Sequence, residues 1–256
     1  MDIEEYTEEE FQLALKRNIR SLIRGKQSTK NPIAILLGGQ SGAGKTTIHR
    51  IKQKEFQGNI IIIDGDSFRF QHPRYLILQQ NYGKDSVEYT KRFAGKMVEC
   101  LVEKLSDLGY HLLIEGTLRT VEVPRNTSEI LQNKGYMVQL ALIATKPELS
   151  YLSTVIRYEE LYAINPEQAR STPKKHHDKI VENLVQNTQL LEQTGLFERI
   201  QIYQRDRNCI FDSKEDTISA AIVLQEVLFG KWNQVEKEML KVGQEKLKIL
   251  QKRIDD

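Results

Sequence analysis

Eight residues restrict the fold of this chain more than any others. They are Gly39-Gln40-Ser41-Gly42-Ala43-Gly44-Lys45-Thr46, a complete G-x-x-x-x-G-K-[ST] sequence. The run stands in the context it needs. Pro32 and the apolar stretch 33–37 precede it, too short for a helix and read as a buried parallel strand. Residues 47–56, which follow, suit a helix. Glycines let the backbone curl until successive N–H groups face one point, and a helix N-terminus adds partial positive charge there. Gly39, Gln40, Ser41, Gly42, Ala43, Gly44, Lys45 and Thr46 are therefore expected to cradle phosphate. Lys45 would reach the β- and γ-phosphates, and the Thr46 hydroxyl would take Mg²⁺. The expected cofactors are ATP and Mg²⁺.

The remaining chain repeats a strand–helix alternation. Thr7 and Glu10 form a capping-box pair, and Phe11, Leu15, Ile19, Leu22 and Ile23 follow at helical spacing as far as Gly25. The polar stretch 26–31 reads as a linker. Apolar runs at 59–64, 110–115, 136–144 and 199–203 read as further strands. Helical patterns cover 85–108, 147–163 and 177–194, and another helix leads up to 136; Phe93, Met97, Leu101 and Leu105 mark one face of the first. This order predicts an α/β fold of the P-loop kinase type, a parallel sheet with helices on both faces plus N- and C-terminal helical additions. Residues 1–230 read as one kinase domain, and 231–256, rich in Lys, Glu and Gln, as a C-terminal helical extension.

Composition narrows the partners. A net charge of +2 without aromatic–basic clusters argues against a dedicated nucleic-acid binder. No apolar run approaches the roughly 20 residues that span a bilayer. The acidic first ten residues are unlike a secretory leader, so a cytoplasmic protein with no membrane association is expected. Cys100 and Cys209 lack metal-type spacing, and their apolar neighbours suggest buried, reduced thiols.

A phosphate loop does not separate a kinase from a motor or a switch; the acceptor side must. Asp64 and Asp66 fall at the carboxyl end of the second strand, where such sheets bind ligands. A carboxylate there can orient an attacking hydroxyl and accept its proton late in transfer. Asp66, just past the strand, suits that role better than Asp64, which equally suits a turn cap. The third strand ends in Glu115-Gly116-Thr117-Leu118-Arg119, a lone Glu where water-activating ATPases often carry an acidic pair. That favours transfer to a bound acceptor over hydrolysis. Arg157 and Arg170 flank a helix end and a turn that could close over ATP and neutralise charge on the γ-phosphate. Glu99 lies off the apolar stripe of its helix, which by itself means exposure. His176 and His177 are expected to open a surface helix, and adjacent helical residues diverge too far to share a metal.

The runs GGQSGAGKTT at 38–47, IIIDGDSFR at 61–69 and LLIEGTLR at 112–119, with Arg157 and Arg170, resemble the zeta-toxin family of bacterial toxin–antitoxin kinases. That resemblance implies ATP-dependent phosphorylation of UDP-N-acetylglucosamine at the 3′-hydroxyl of its amino sugar, which poisons peptidoglycan synthesis. It implies Asp66 as base, Lys45 on the phosphates, Thr46 on the metal, and Arg157 and Arg170 on the transferring group. Glu99, Glu115, Thr117, Arg119 and Thr127 would contact the sugar nucleotide. A cognate antitoxin protein would silence the enzyme by obstructing the ATP site. Two other readings stay open on the residues alone: a P-loop kinase for another hydroxyl acceptor, or a nucleotide-gated binding module that needs little from Asp66.

Overall fold

The apolar run before the phosphate loop is β1 (Ile33–Gly38), an interior strand of a six-stranded sheet ordered β2-β3-β1-β4-β5-β6. Its companions are β2 (Ile61–Ile63), β3 (Leu112–Glu115), β4 (Met137–Ile143), β5 (Arg199–Tyr203) and β6 (Cys209–Asp212). The structure is a computed structural model and describes residues 4–166 and 169–255. Alternate residues of each strand face opposite layers, as the pleat requires. Ala34, Leu36, Leu112, Ile114, Leu140 and Leu142 join one apolar cluster. Ile35, Leu37, Leu113, Ala141 and Ile143 join a second on the other face. Burial on both faces explains why the strands read as continuous apolar runs rather than alternating ones.

The helices complete both layers. α1 (Glu8–Leu22) starts on the expected capping box: the Glu10 N–H donates to Thr7 Oγ1 at 3.1 Å and the Thr7 N–H to Glu10 Oε2 at 2.8 Å. It packs on α4 (Ser86–Asp107) through Phe11 and Phe93, whose rings meet edge-on at 5.5 Å. α5 (Glu122–Asn133), α7 (Lys174–Gln193) and α8 (Ala220–Phe229) supply Leu131, Leu184, Leu191 and Leu224 to the same layer. The opposite layer holds α2 (Lys45–Glu55), whose Ile48 enters the second cluster. α6 (Pro147–Ile164) is paired along its length by α9 (Gln234–Asp255). Gly243 lets the two helices close: a Cβ there would stand 2.7 Å from Leu152 Cδ2. Lys246 and Glu160 add an ion pair at 2.5 Å.

Several expectations need correcting. β6 runs antiparallel to β5, so the sheet is mostly rather than wholly parallel. Its four residues, bounded by polar neighbours, carry too little pattern to be read as a strand. α3 (Tyr75–Tyr82) and the 3₁₀ turn at Gly65–Gln71 fill a stretch left unassigned, and α8 was missed because it is apolar nearly all round. Cys209 is exposed and Cys100 only half-buried, so neither is a buried thiol. His177 is fully buried rather than on the surface, its Nε2 lying 2.8 Å from Ser150 Oγ. Among the described residues no helix is long and apolar enough to cross a membrane.

Candidate active site

The glycines of the 39–44 loop are fixed by crowding. Gly42 has φ +76° and faces the Ser150 carbonyl of α6, into which any side chain would run; Gly39, at φ +143°, faces the Ile143 carbonyl in the same way. α2 opens directly behind them on Gly44, and no side chain caps its N-terminus. Without a side-chain cap, the first N–H groups of such a helix are available to an anion. Thr46 is exposed in that first turn. Gln40 is buried, and its side-chain amide donates to the Thr145 carbonyl at 2.5 Å, so its side chain anchors the loop to the segment after β4.

Lys45, the first residue of α2, folds back over the loop. Its Nζ donates to the Gly39 carbonyl at 3.2 Å and lies 3.7 Å from Glu115 Oε1. The other Glu115 oxygen is 2.8 Å from His49 Nε2. Register explains the meeting, since Leu37 of β1 stands opposite Glu115 of β3, so that carboxylate emerges beside the loop. Just past β2, Asp64 accepts the Asp66 N–H at 3.0 Å and caps the 3₁₀ turn, one of the two roles its sequence position left open. Burial, then the charges of Glu115 and Asp66, push the Asp64 carboxyl above its ordinary value.

Asp66 sits one turn on, in the 3₁₀ segment. Arg69 Nε donates to its Oδ1 at 2.7 Å, and Arg170 Nη1 donates to its backbone carbonyl at 2.9 Å. Desolvation pushes the Asp66 carboxyl up, but Arg69, followed by the charges of Arg170 and Lys45, outweighs it and holds the group below the usual carboxylate range. Lys45, Glu115, Asp66 and Arg170 thus form one charged cluster at the carboxyl ends of β1, β2 and β3. Its donors, hydroxyl and carboxylate oxygens, are those a Mg²⁺–phosphate complex uses.

Beyond β3, Thr117 is half-buried and Arg119 exposed; burial, followed by the charge of Arg119, pushes the His176 imidazole of α7 below its ordinary value. Leu118 between them is a non-glycine residue at φ +54°, and Asn187 of α7 donates to its carbonyl at 2.8 Å. Three expected residues are not drawn in by contact. Glu99 is exposed on α4, Thr127 spends its hydroxyl on the Val123 carbonyl at 2.8 Å, and Arg157 lines a groove of about 650 Å³ between α6 and α9. No hydrogen bond or ion pair from Arg157 occurs among the described residues.

Three residues escaped the sequence reading. His49 lies four positions after Lys45, on the same helical face, a spacing that could have revealed it. Arg69 stood inside a quoted motif without a role. Arg205, in the β5–β6 turn, donates to the loop carbonyls of Gly42 and Ala43 and, at 2.7 Å, to Ser153 Oγ; nothing in its neighbourhood signals this. It has no carboxylate partner among the described residues, and burial pushes its guanidinium down.

Comparison with known proteins bears on the family and the fold. A family profile described as Zeta toxin matches residues 18–216. The chain is 75% identical over 250 residues to Toxin PezT of Streptococcus pneumoniae serotype 4, covering 98% of this chain and 99% of that protein. It is 42% identical over 214 residues to Toxin zeta of Streptococcus pyogenes, covering 84% and 75% respectively. Among solved structures, one from the PezAT chromosomal toxin–antitoxin system of S. pneumoniae superposes with a TM-score of 0.90 at 71% identity, covering 98% of this chain and all of that one. AvrRxo1-ORF1:-ORF2 with ATP shares the fold at a TM-score of 0.61 and 12% identity, over 88% of this chain and 73% of its own.

Proposed function

The chain belongs to the zeta toxin family, and on that premise we propose that it is an ATP-dependent kinase acting as the toxin of a toxin–antitoxin pair. Its acceptor is the 3′-hydroxyl of the amino sugar of UDP-N-acetylglucosamine, and the phosphorylated product blocks peptidoglycan synthesis. The observation that best supports this reading is the state of Asp66. One carboxylate oxygen is held by Arg69, while the other, Oδ2, has no protein donor among the described residues and is free to accept from a hydroxyl. A binding module that merely senses nucleotide has no use for a fixed, ionised carboxylate beside its phosphate loop.

The chain's groups then divide the work. Backbone N–H groups of residues 39–46 hold the triphosphate, and Lys45 leaves the Gly39 carbonyl and Glu115 for the phosphate oxygens; His49 stays with Glu115. Mg²⁺, taken by the Thr46 hydroxyl and the phosphates, would offset their charge. The sugar hydroxyl lies against Asp66 Oδ2. As its oxygen bonds to the γ-phosphorus, the bond to the ADP oxygen breaks and the hydroxyl proton passes to Asp66, which returns it to solvent. Arg170, tied to the Asp66 carbonyl, spans base and phosphoryl group, and Arg157 is the second proposed arginine on the transferring group. Glu99, Glu115, Thr117, Arg119 and Thr127 are the proposed sugar-nucleotide contacts. A cognate antitoxin would silence the protein by covering the phosphate loop.

The test is a coupled ADP-release assay with and without UDP-N-acetylglucosamine. Release that depends on the sugar nucleotide and disappears in Lys45→Ala supports the reading. Release indifferent to the sugar nucleotide would leave the chain an ATPase and remove the acceptor.

A further inference from the structure

We propose that Arg69 is the positioning residue for Asp66: it clamps one oxygen of the carboxylate so that the other is presented to the acceptor hydroxyl. The inference rests on the reading of Asp66 as the base. Its ground is a chain of contacts anchored outside the site. Arg69 Nη1 donates to the Val87 carbonyl at 2.9 Å and lies 3.4 Å from Thr90 Oγ1, both in the first turns of α4. Thr90 is itself buried and bonded to the Ser86 carbonyl at 3.2 Å. The guanidinium thereby bridges α4 and the 3₁₀ turn, with its Nε meeting Asp66 Oδ1 at 2.7 Å.

A surface ion pair would contribute little, because two long mobile side chains must be ordered to make it. Here the arginine is ordered already, with only 20% of its side chain exposed against 62% for the aspartate. The asymmetry fits a fixed arm holding an exposed working group. With Oδ1 engaged, rotation about the terminal carboxylate bond is blocked, and Oδ2 alone remains for the substrate. The arm also supplies charge. Facing Asp66 are Lys45 from α2, Arg170 from the segment before α7, His176 on α7 and Asp64 just past β2, but among the described residues only Arg69 bonds the carboxylate. Replacing it with a neutral residue should let the Asp66 carboxyl rise, so that the base is protonated at a higher pH and the acid limb of turnover moves upward.

Four proteins decide the matter: wild type, Arg69→Gln, Arg69→Lys and Asp66→Asn. Turnover of UDP-N-acetylglucosamine with Mg-ATP should fall about tenfold to a hundredfold in Arg69→Gln, the loss a misplaced group causes. Its acid limb should move to higher pH, with ATP affinity and melting temperature unchanged. Arg69→Lys, which keeps the charge without the fork, should restore the limb but only part of the turnover. Titration of the Asp66 carboxyl followed by carbon NMR needs no acceptor, and it should move up in Arg69→Gln. An unmoved carboxyl titration, or wild-type turnover in Arg69→Gln while Asp66→Asn is inactive, overturns the role of Arg69 alone. Full turnover in Asp66→Asn overturns the base itself, and this proposal with it.

Discussion

At the scale of single residues, the chemistry depends on groups that are held without being used up. Asp66 keeps an oxygen free, and Lys45 rests on a backbone carbonyl and a carboxylate that it can leave for phosphate. Asp66→Asn keeps the shape and the Arg69 contact on its oxygen while losing the proton acceptor. Turnover should fall about a hundredfold or more, as expected for loss of a positioned base, with ATP binding by titration within a few-fold of wild type. That Lys45 and Asp66 would lie near each other was legible from sequence, because one belongs to the 39–46 motif and the other falls just past the second strand. Arg69 and His49 were not assigned roles, because what marks them is their nearness to the side chains of Asp66 and Glu115. That is a property of three-dimensional contact that type and spacing only hint at. Arg205 left no trace at all: it reaches the loop across more than 160 positions.

At the scale of elements, the site is a seam between the sheet and the helices that brace its loops. The phosphate loop is seated on α6 by the contact of Gly42 with the Ser150 carbonyl. Gly42→Ala must move either the loop or that helix, at a backbone angle an alanine rarely adopts. It should abolish ATP binding in a titration while the far-UV spectrum keeps its helical content. On the acceptor side, Asn187 satisfies the carbonyl of Leu118, whose left-handed backbone aims Thr117 and Arg119. Asn187→Ala leaves that buried carbonyl unpaired and should cost about 1–3 kcal/mol in chemical denaturation. It should also raise KM for the sugar nucleotide more than KM for ATP; equal rises would detach Leu118 from acceptor binding. The strand–helix order announced this seam, since parallel strands gather their carboxyl ends. The 3₁₀ turn that carries Asp66 was not announced, because seven residues without apolar period look like any loop.

At the scale of the whole molecule, stability should depend on keeping histidines neutral. Burial pushes the imidazoles of His72, His111 and His177 below their ordinary value of 6.5. A folded-state value below the unfolded one means that the unfolded chain binds more protons as pH falls through 6.5. These groups therefore contribute their stability above that pH and lose it on the acid side. The melting temperature should drop between about pH 6.5 and pH 5, before the carboxylates titrate, and His177→Asn should flatten part of that slope. A slope unchanged by His177→Asn would remove the residue from the effect. The C-terminal helix was read as an extension, yet its pairing along α6 puts it against the helix that carries Arg157 and seats the loop.

The claim on which everything else stands is that a phosphoryl group leaves ATP for a sugar alcohol at this site. Purified protein incubated with Mg-ATP and UDP-N-acetylglucosamine, with products identified by mass and the modified carbon located by NMR, tests it most directly. The expected result is one added phosphate on the 3′-oxygen of the amino sugar, matched one for one by ADP and absent with Asp66→Asn. ADP without a phosphorylated sugar nucleotide, or phosphate at another position, would contradict it.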